Sequence, residues 1–330
     1  MRPVFLTGAS GFLGGHLLRE LQAAGCRVRA LSRRPETDAT LAALGAEPVR
    51  APLSDPAALR LALAGCDAVF HAAADTSLWK PQAAAQTATN VLGTQNLLRA
   101  AEAARVPAFM HTSSVSAWSH RVQGVISENV PQQGASSWIN YERTKYLGEQ
   151  AVRGAALPWI VFNPAHILGP GDRQNWSRLI CMVDRGQLPG IPPGSGSFAD
   201  VRQVAKAQVR AWQARRFGQA YLLGGEEASF VDFVHRVGAA LGRRTPRGAM
   251  PRWVLMAYGQ ALDAWSRVSR KEPRATPEGA ALTSHHLRVD SAKARRELDY
   301  EETPLDMLLT DTLHWMRQEA MLLARDTGET

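Results

Sequence analysis

The architecture of this chain turns on Thr7-Gly8-Ala9-Ser10-Gly11-Phe12-Leu13-Gly14. An apolar run over residues 3–7 precedes it. A pattern over residues 12–24 follows, with Phe12, Leu13, Leu17, Leu18 and Leu21 on one helical face and Gly25 placed to stop the helix. Gly8, Gly11 and Gly14 let the backbone turn tightly and approach a pyrophosphate, and the helix start aims unpaired N–H groups and partial positive charge at it. Ser10, Phe12 and Leu13 belong to the same cradle. Further along, residues 27–32, 47–50, 67–72, 108–112 and 159–162 read as strands, and residues 87–104 and 141–154 as helices. Strands alternating with helices imply βαβ units, right-handed crossovers and a doubly wound parallel sheet of the α/β class. Its ligand site lies beyond the carboxyl ends of the strands.

Past residue 165 the pattern loosens. Pro170, Pro189, Pro192 and Pro193, with Gly169, Gly171, Gly190, Gly194 and Gly196, mark loops. Helices are expected near 201–214, 229–241, 251–268 and 305–322. The expectation is a dinucleotide-binding domain over 1–165 and a smaller, mostly helical, substrate-binding C-terminal lobe over 166–330. Part of 196–224 is expected to rejoin the first domain.

With 45% hydrophobic and 21% charged residues, the 330-residue chain has the composition of a globular protein. Met1 to Pro3 lead straight into the first strand without a basic, apolar and small-residue leader, so no secretory signal is expected. No apolar window reaches about 18 residues, so no transmembrane helix is expected either. The apolar stretch Trp253 to Leu262 is too short to span a bilayer, and a core helix is preferred for it over a membrane-surface helix. Cys26, Cys66 and Cys181 lie far apart with no zinc spacing, so no metal is expected and a reducing cytoplasm fits best. The formal charge of +8 suits an anionic partner. The basic residues read as scattered, solvated surface, and a phosphate-bearing cofactor suffices to use a few of them. Expected partners are a small-molecule substrate, with no nucleic acid, no stable membrane insertion, and a homodimer left open.

The GxxGxxG spacing resembles the fingerprint of the short-chain dehydrogenases/reductases, in particular their extended, epimerase-like branch, which implies a Rossmann fold and a nicotinamide cofactor. NAD enzymes usually end the second strand with an acid for the ribose hydroxyls. Here the strand ends Arg29-Ala30-Leu31-Ser32-Arg33-Arg34. A carboxylate would repel a 2′-phosphate, while Arg33, with Arg34 beside it, offers a forked charge-assisted contact. NADP(H) is therefore favoured, with NAD(H) as the alternative. The family's adenine-side acid is replaced by Pro52 in Ala51-Pro52-Leu53-Ser54-Asp55, which leaves Leu53 to contribute backbone contacts. The resemblance also implies a small-residue platform for the cofactor at Ala72, Ala73 and Ala74, and a helix-opening motif at Asn90.

Tyr141-Glu142-Arg143-Thr144-Lys145 is a YxxxK pattern. On a helix a four-residue step turns about 400° and rises about 6 Å, so both side chains share a face. A free tyrosine is only about 0.1% ionised at pH 7, and a pKa near 7 requires roughly 4 kcal/mol of phenolate stabilisation. The Lys145 ammonium and an oxidised nicotinamide are the expected sources. Tyr141 then serves as acid or base toward a carbonyl or alcohol, and Lys145 also reaches the nicotinamide ribose. In His111-Thr112-Ser113-Ser114-Val115 the resemblance implies Ser114 as the carbonyl-orienting hydroxyl, with Ser113 as the fallback.

Asn163-Pro164-Ala165-His166-Ile167-Leu168-Gly169-Pro170-Gly171-Asp172 resembles the family segment flanking the nicotinamide, which adds Pro164 and Ile167 to the cofactor set. Nucleotide-sugar members often carry an arginine that holds the diphosphate and a histidine four residues later. In the aligned segment these positions are Gly196 and Asp200. Candidate substrate residues are Thr76, Trp79, His166, Asn175 and Trp176, an apolar and aromatic set. The reading is thus an NADP(H)-dependent oxidoreductase that interconverts a carbonyl and an alcohol on a small hydrophobic substrate, nearest the dihydroflavonol reductase and 3β-hydroxysteroid dehydrogenase branch. The alternatives are a nucleotide-sugar epimerase or dehydratase and, with less support, a non-enzymatic dinucleotide sensor.

Overall fold

The computed structural model describes residues 2–323. Met1 and the last residues of the expected lobe lie outside them. The strands are β1 (Val4–Thr7), β2 (Val28–Ser32), β3 (Glu47–Arg50), β4 (Ala68–His71), β5 (Phe109–Thr112), β6 (Val125–Ile126), β7 (Trp159–Pro164), β8 (His166–Leu168), β9 (Ser195–Asp200), β10 (Gln219–Leu223), β11 (Glu226–Ser229) and β12 (Arg288–Val289). The helices are α1 (Phe12–Ala23), α2 (Pro35–Ala43), α3 (Pro56–Ala62), α4 (Ala83–Thr87), α5 (Thr94–Ala103), α6 (Asn140–Arg153), α7 (Trp176–Asp184), α8 (Val201–Gln213), α9 (Phe230–Leu241), α10 (Arg252–Ser269), α11 (Pro277–Thr283), α12 (Ala292–Leu298) and α13 (Leu305–Gln318).

Seven parallel strands form the main sheet in the order β10-β7-β5-β4-β1-β2-β3. Chain order reverses between β1 and β4, and the crevice at that switch point is where a doubly wound sheet binds its ligand. The central strands are apolar on both faces, as sheets covered on both sides require. Val4 and Leu6 of β1 face one layer with Leu17, Leu18 and Leu21 of α1 and Val204 and Val209 of α8. Phe5, between them, faces the other with Leu59 of α3 and Leu97 and Leu98 of α5. Each such leucine contributes about 1.5–3 kcal/mol by leaving water.

The chain does not divide once at 165. After Ala165 it enters a second sheet, ordered β11-β9-β8. It then returns through α8, which packs on α1, and through β10, which pairs with β7. It leaves again at β11. Late in the sequence α12 packs on α8 and β10, and brings Ala294 and Leu298 into the core beneath α1. The smaller lobe is mostly helical, with a three-stranded sheet inside it against α7, α9 and α13. One expectation is corrected here. The Trp253–Leu262 stretch is not a core helix: of α10's residues only Gly259 and Ser266 are buried. Among the described residues no helix is long and apolar enough to cross a membrane.

Candidate active site

At the switch point β1 runs into the glycine loop. Gly8 has φ +75, and a Cβ there would lie 2.7 Å from Ala73 N at the end of β4. A Cβ on Gly14 would lie 1.9 Å from Gly8 O, and one on Gly11 3.2 Å from the same atom. The loop is therefore folded so tightly on itself and on Ala72–Ala73 that side chains at Gly8 and Gly14 are sterically barred. Ser10 and Gly11 are exposed, and Gly11 opens α1 with no side-chain cap. The first N–H groups of α1 thus have no side-chain acceptor from the cap and sit in a cradle that a Cβ would fill. These features fit a dinucleotide pyrophosphate.

A buried hydrogen-bond chain fixes this cradle to the next helix. Thr7 Oγ1 and His71 Nδ1 lie 2.7 Å apart, and His71 Nε2 and Thr94 Oγ1 2.9 Å. Thr94 donates its hydroxyl proton to Asn90 O, so it accepts from His71, which places the ring proton on Nε2. Nδ1 then accepts from the Thr7 hydroxyl, whose oxygen accepts from Ala73 N–H at 3.1 Å. Burial, with the nearby Lys145 charge, pulls His71 down to about 3, so the ring stays neutral and this tautomer holds. His111 packs against His71 and is likewise held well below its ordinary value by burial, by His71 and by Lys145.

Asn90 is buried, and its amide is engaged by the protein itself. Oδ1 accepts from Asp75 N–H, and Nδ2 donates to Asp75 O and Thr144 Oγ1. It positions the loop after β4 and the helix α6. Leu53 lies over Gly93, with its carbonyl held by Asn96. Arg33 and Arg34 follow β2 at the same sheet edge, exposed and without ion pairs among the described residues. Ala74 is exposed beside the half-buried Ala72 and Ala73, while Pro164 is buried and Ile167 packs against the core under α1.

The two halves of the YxxxK pattern come from the first turns of α6. Its buried face carries Glu142, Lys145, Glu149 and Val152. Burial raises the Tyr141 phenol above its ordinary value, opposed by the neighbouring Ser114 hydroxyl and reinforced by Asp75. The phenol thus lies above its ordinary value, opposite to the lowering expected from Lys145 and an oxidised nicotinamide. The reason is that burial is the dominant influence and Lys145 is turned to Thr112 O, to which Nζ donates at 3.0 Å. Burial lowers Lys145 to about 8 against the raising charge of Glu149. Ser114 Oγ also accepts from Ser116 N–H, whereas the hydroxyl of Ser113 is buried without a partner. Of the two serines, it is Ser114 that the fold brings to Tyr141.

Two buried carboxylates that the sequence did not single out hold this assembly. Glu142 accepts from Ser119 Oγ, Ser137 Oγ, His120 N–H and His120 Nδ1. Burial alone would raise its pKa, but the bonds from His120, Ser137 and Ser119 outweigh it and hold the carboxyl ionised. Glu149 accepts from Gln132, Arg153 and Asn163, and Asn163 also donates to Ser114 O at 3.2 Å. Glutamates on a helix carry no mark of most of these partners, which come from the loops around Ser119–His120 and Gln132 and from Asn163 of β7.

The proposed substrate residues do not assemble together. Thr76 is exposed. Trp79 donates from Nε1 to Ser266 Oγ of α10 at 3.1 Å, an inter-lobe contact. Asn175 is exposed and donates to Asp172 Oδ1, which organises the start of α7. His166 and Trp176 lie in an aromatic cluster with Phe198, Phe230 and Phe233. Burial lowers His166 to about 4, with the His285 charge adding to it. A Cβ on Gly196 would meet His166 Nδ1 at 2.4 Å, so the imidazole fills the space a side chain at that position would need.

Residues 4–224 match the family described as NAD dependent epimerase/dehydratase. The chain is 29% identical over 95% of its length to "Putative dihydroflavonol 4-reductase" of Synechocystis sp., covering 94% of that protein. It is 31% identical over 96% of its length to "Sterol demethylase protein B" of Methylococcus capsulatus, covering 99% of it. Among solved structures, gox2253 superposes with a TM-score of 0.82 at 30% identity, covering 98% of this chain and all of the other.

Proposed function

The chain belongs to the NAD dependent epimerase/dehydratase family, within the extended short-chain dehydrogenases/reductases, and is an NAD(P)-dependent enzyme of that group; from this premise we propose that it is an NADP(H)-dependent reductase or dehydrogenase acting on a carbonyl/alcohol pair of an apolar substrate. The observation that carries the reading is that the fold brings Ser114 and Tyr141 together on the buried side of α6 beside Lys145, next to the glycine cradle. When bound, the nicotinamide supplies the hydride for reduction or takes it in oxidation.

In reduction Ser114 orients the carbonyl oxygen and Tyr141 donates the phenolic proton to it. The raised phenol pKa keeps that proton in place at neutral pH. Lys145, mostly charged at pH 7 with its pKa near 8, stabilises the phenolate left behind. Glu142 fixes the first turn of α6, and Glu149 acts through Asn163 on the Ser114 carbonyl, so both are positioning residues. Arg33 reads the 2′-phosphate with its unpaired guanidinium. Against a nucleotide-sugar substrate stands position 196, where His166 occupies the room an arginine clamp would take. The relative named for a sterol supports an apolar substrate.

The test is NADPH consumption at 340 nm with an aliphatic ketone, an aromatic aldehyde and a polycyclic ketone, for the wild type and Tyr141→Phe. We expect turnover with at least one carbonyl, and a loss of about 10²–10⁴-fold in the variant, with NADPH binding retained. Undiminished turnover in Tyr141→Phe would refute the mechanism. Sugar-nucleotide conversion with no net change at 340 nm would replace the reductase by an epimerase.

A further inference from the structure

Helix α10 buries only Gly259 and Ser266, which dock it on Thr276 at the start of α11 and on Trp79. Its outer face carries Trp253, Ala257, Ala261, Ala264, Trp265 and Val268, gathered within an arc of about 120° at 100° per residue. All six are exposed: Trp253 at 75%, Trp265 at 65% and Val268 at 74%. Single exposed apolar residues need no explanation, but a contiguous face bearing two tryptophans does.

The charge around this face is lopsided. Residues 244–274 hold seven basic side chains (Arg244, Arg247, Arg252, Arg267, Arg270, Lys271, Arg274) against Asp263 and Glu272, a net +5 of the chain's +8. Arg267 pairs with Asp263, while the other six are exposed and form no ion pair among the described residues. The net positive charge is thus concentrated about one helix, although most of the basic residues lie elsewhere on the chain.

We propose that α10 is a docking face for an anionic lipid surface, with its tryptophans at the headgroup boundary and the flanking cations on the phosphates. An amphipathic helix with an apolar stripe, interfacial tryptophans and basic flanks has the composition of one that lies in a membrane plane without crossing it. A second copy of this chain suits the face poorly, because a two-fold contact would set one +5 segment against another. The opposite, buried side of α10 reaches toward the reaction centre, since Trp79, which donates to Ser266, follows closely on Asp75, whose charge acts on Tyr141.

The test is co-sedimentation of the full chain with vesicles of phosphatidylcholine alone and of phosphatidylcholine with equal phosphatidylglycerol. We expect pelleting only with the anionic vesicles, suppressed by salt. It should weaken at least about 10-fold both in Trp253→Ser/Trp265→Ser and in Arg270→Glu/Lys271→Glu. The second pair is exposed and keeps the test valid if the tryptophan variant misfolds. Failure to bind anionic vesicles, or binding indifferent to both variants, overturns the proposal. So does a concentration-dependent dimer lost in the tryptophan variant, which would assign the face to a second copy.

Discussion

Lys145 is the residue whose titration separates catalysis from stability. Its folded pKa of about 8 lies below the ordinary 10.5 because burial penalises the charge. Between those values the unfolded chain binds more protons than the folded one, so stability rises with pH through that window. The proposed chemistry needs the ammonium, so carbonyl reduction should fall over the same range. We therefore expect kcat/KM for NADPH, which reports the free enzyme, to decline above about pH 8 while the melting temperature holds or rises. Parallel loss of both would show that the decline is unfolding. Arg33 offers a second residue-level check. It is exposed and unpaired, so Arg33→Ala should leave the melting temperature nearly unchanged. It should weaken NADPH binding by about 10-fold or more, the value of one charge-assisted contact, with NADH unaffected. Equal affinity of the wild type for the two cofactors would remove Arg33 as the phosphate reader.

At the scale of elements, adjacent glycines in α1 have opposite predicted effects. In Gly14→Ala the Cβ would meet Gly8 O at 1.9 Å, and backbone cannot yield as a side chain can. Overpacking of this kind costs about 1–3 kcal/mol. NADPH affinity should fall with it, because the cradle itself must open. In Gly15→Ala the nearest atom is Ala9 O at 3.8 Å, an ordinary contact, and removing a helical glycine should add about 0.5–1 kcal/mol. Thermal melts of the two variants check both signs, and destabilisation in both would mean that helix propensity plays no part here. The same glycines explain why this element was legible from sequence. Its steric demand is local, as are the apolar stripe of α1 and the continuous apolar runs of β1, β4, β5 and β7. By contrast β9 reads Ser-Gly-Ser-Phe-Ala-Asp, with no strand pattern, and exists because β8 and β11 pair with it. For α10 the apolar periodicity was real, but periodicity alone does not say what the apolar face meets. The roles of Glu142 and Glu149 were not legible because Ser119, His120, Gln132 and Asn163 reach them only through the tertiary fold.

At the scale of the whole molecule, the sheet domain and the lobe are interleaved. The layer beneath α1 is completed by Val204, Ala205 and Val209 of α8, Tyr221 and Leu223 of β10, and Ala294 and Leu298 of α12, all beyond residue 165. A fragment of residues 1–165 keeps the glycine cradle, Ser114, Tyr141 and Lys145, yet leaves Leu17, Leu21 and Phe162 without that cover. It also leaves β7 as an exposed, apolar sheet edge where β10 should pair. At about 25 cal/mol per Å² of apolar surface, uncovering one side of a sheet removes more than the 5–15 kcal/mol margin of a typical domain. We therefore expect the fragment to aggregate or to show a molten, dye-binding state without near-ultraviolet circular dichroism, and to bind no NADPH. The full chain should melt in one cooperative transition, because no single cut separates its two cores. A monodisperse fragment 1–165 with native dichroism and NADPH affinity would show that the first half folds by itself, and that the later returns of the chain are additions to a finished domain.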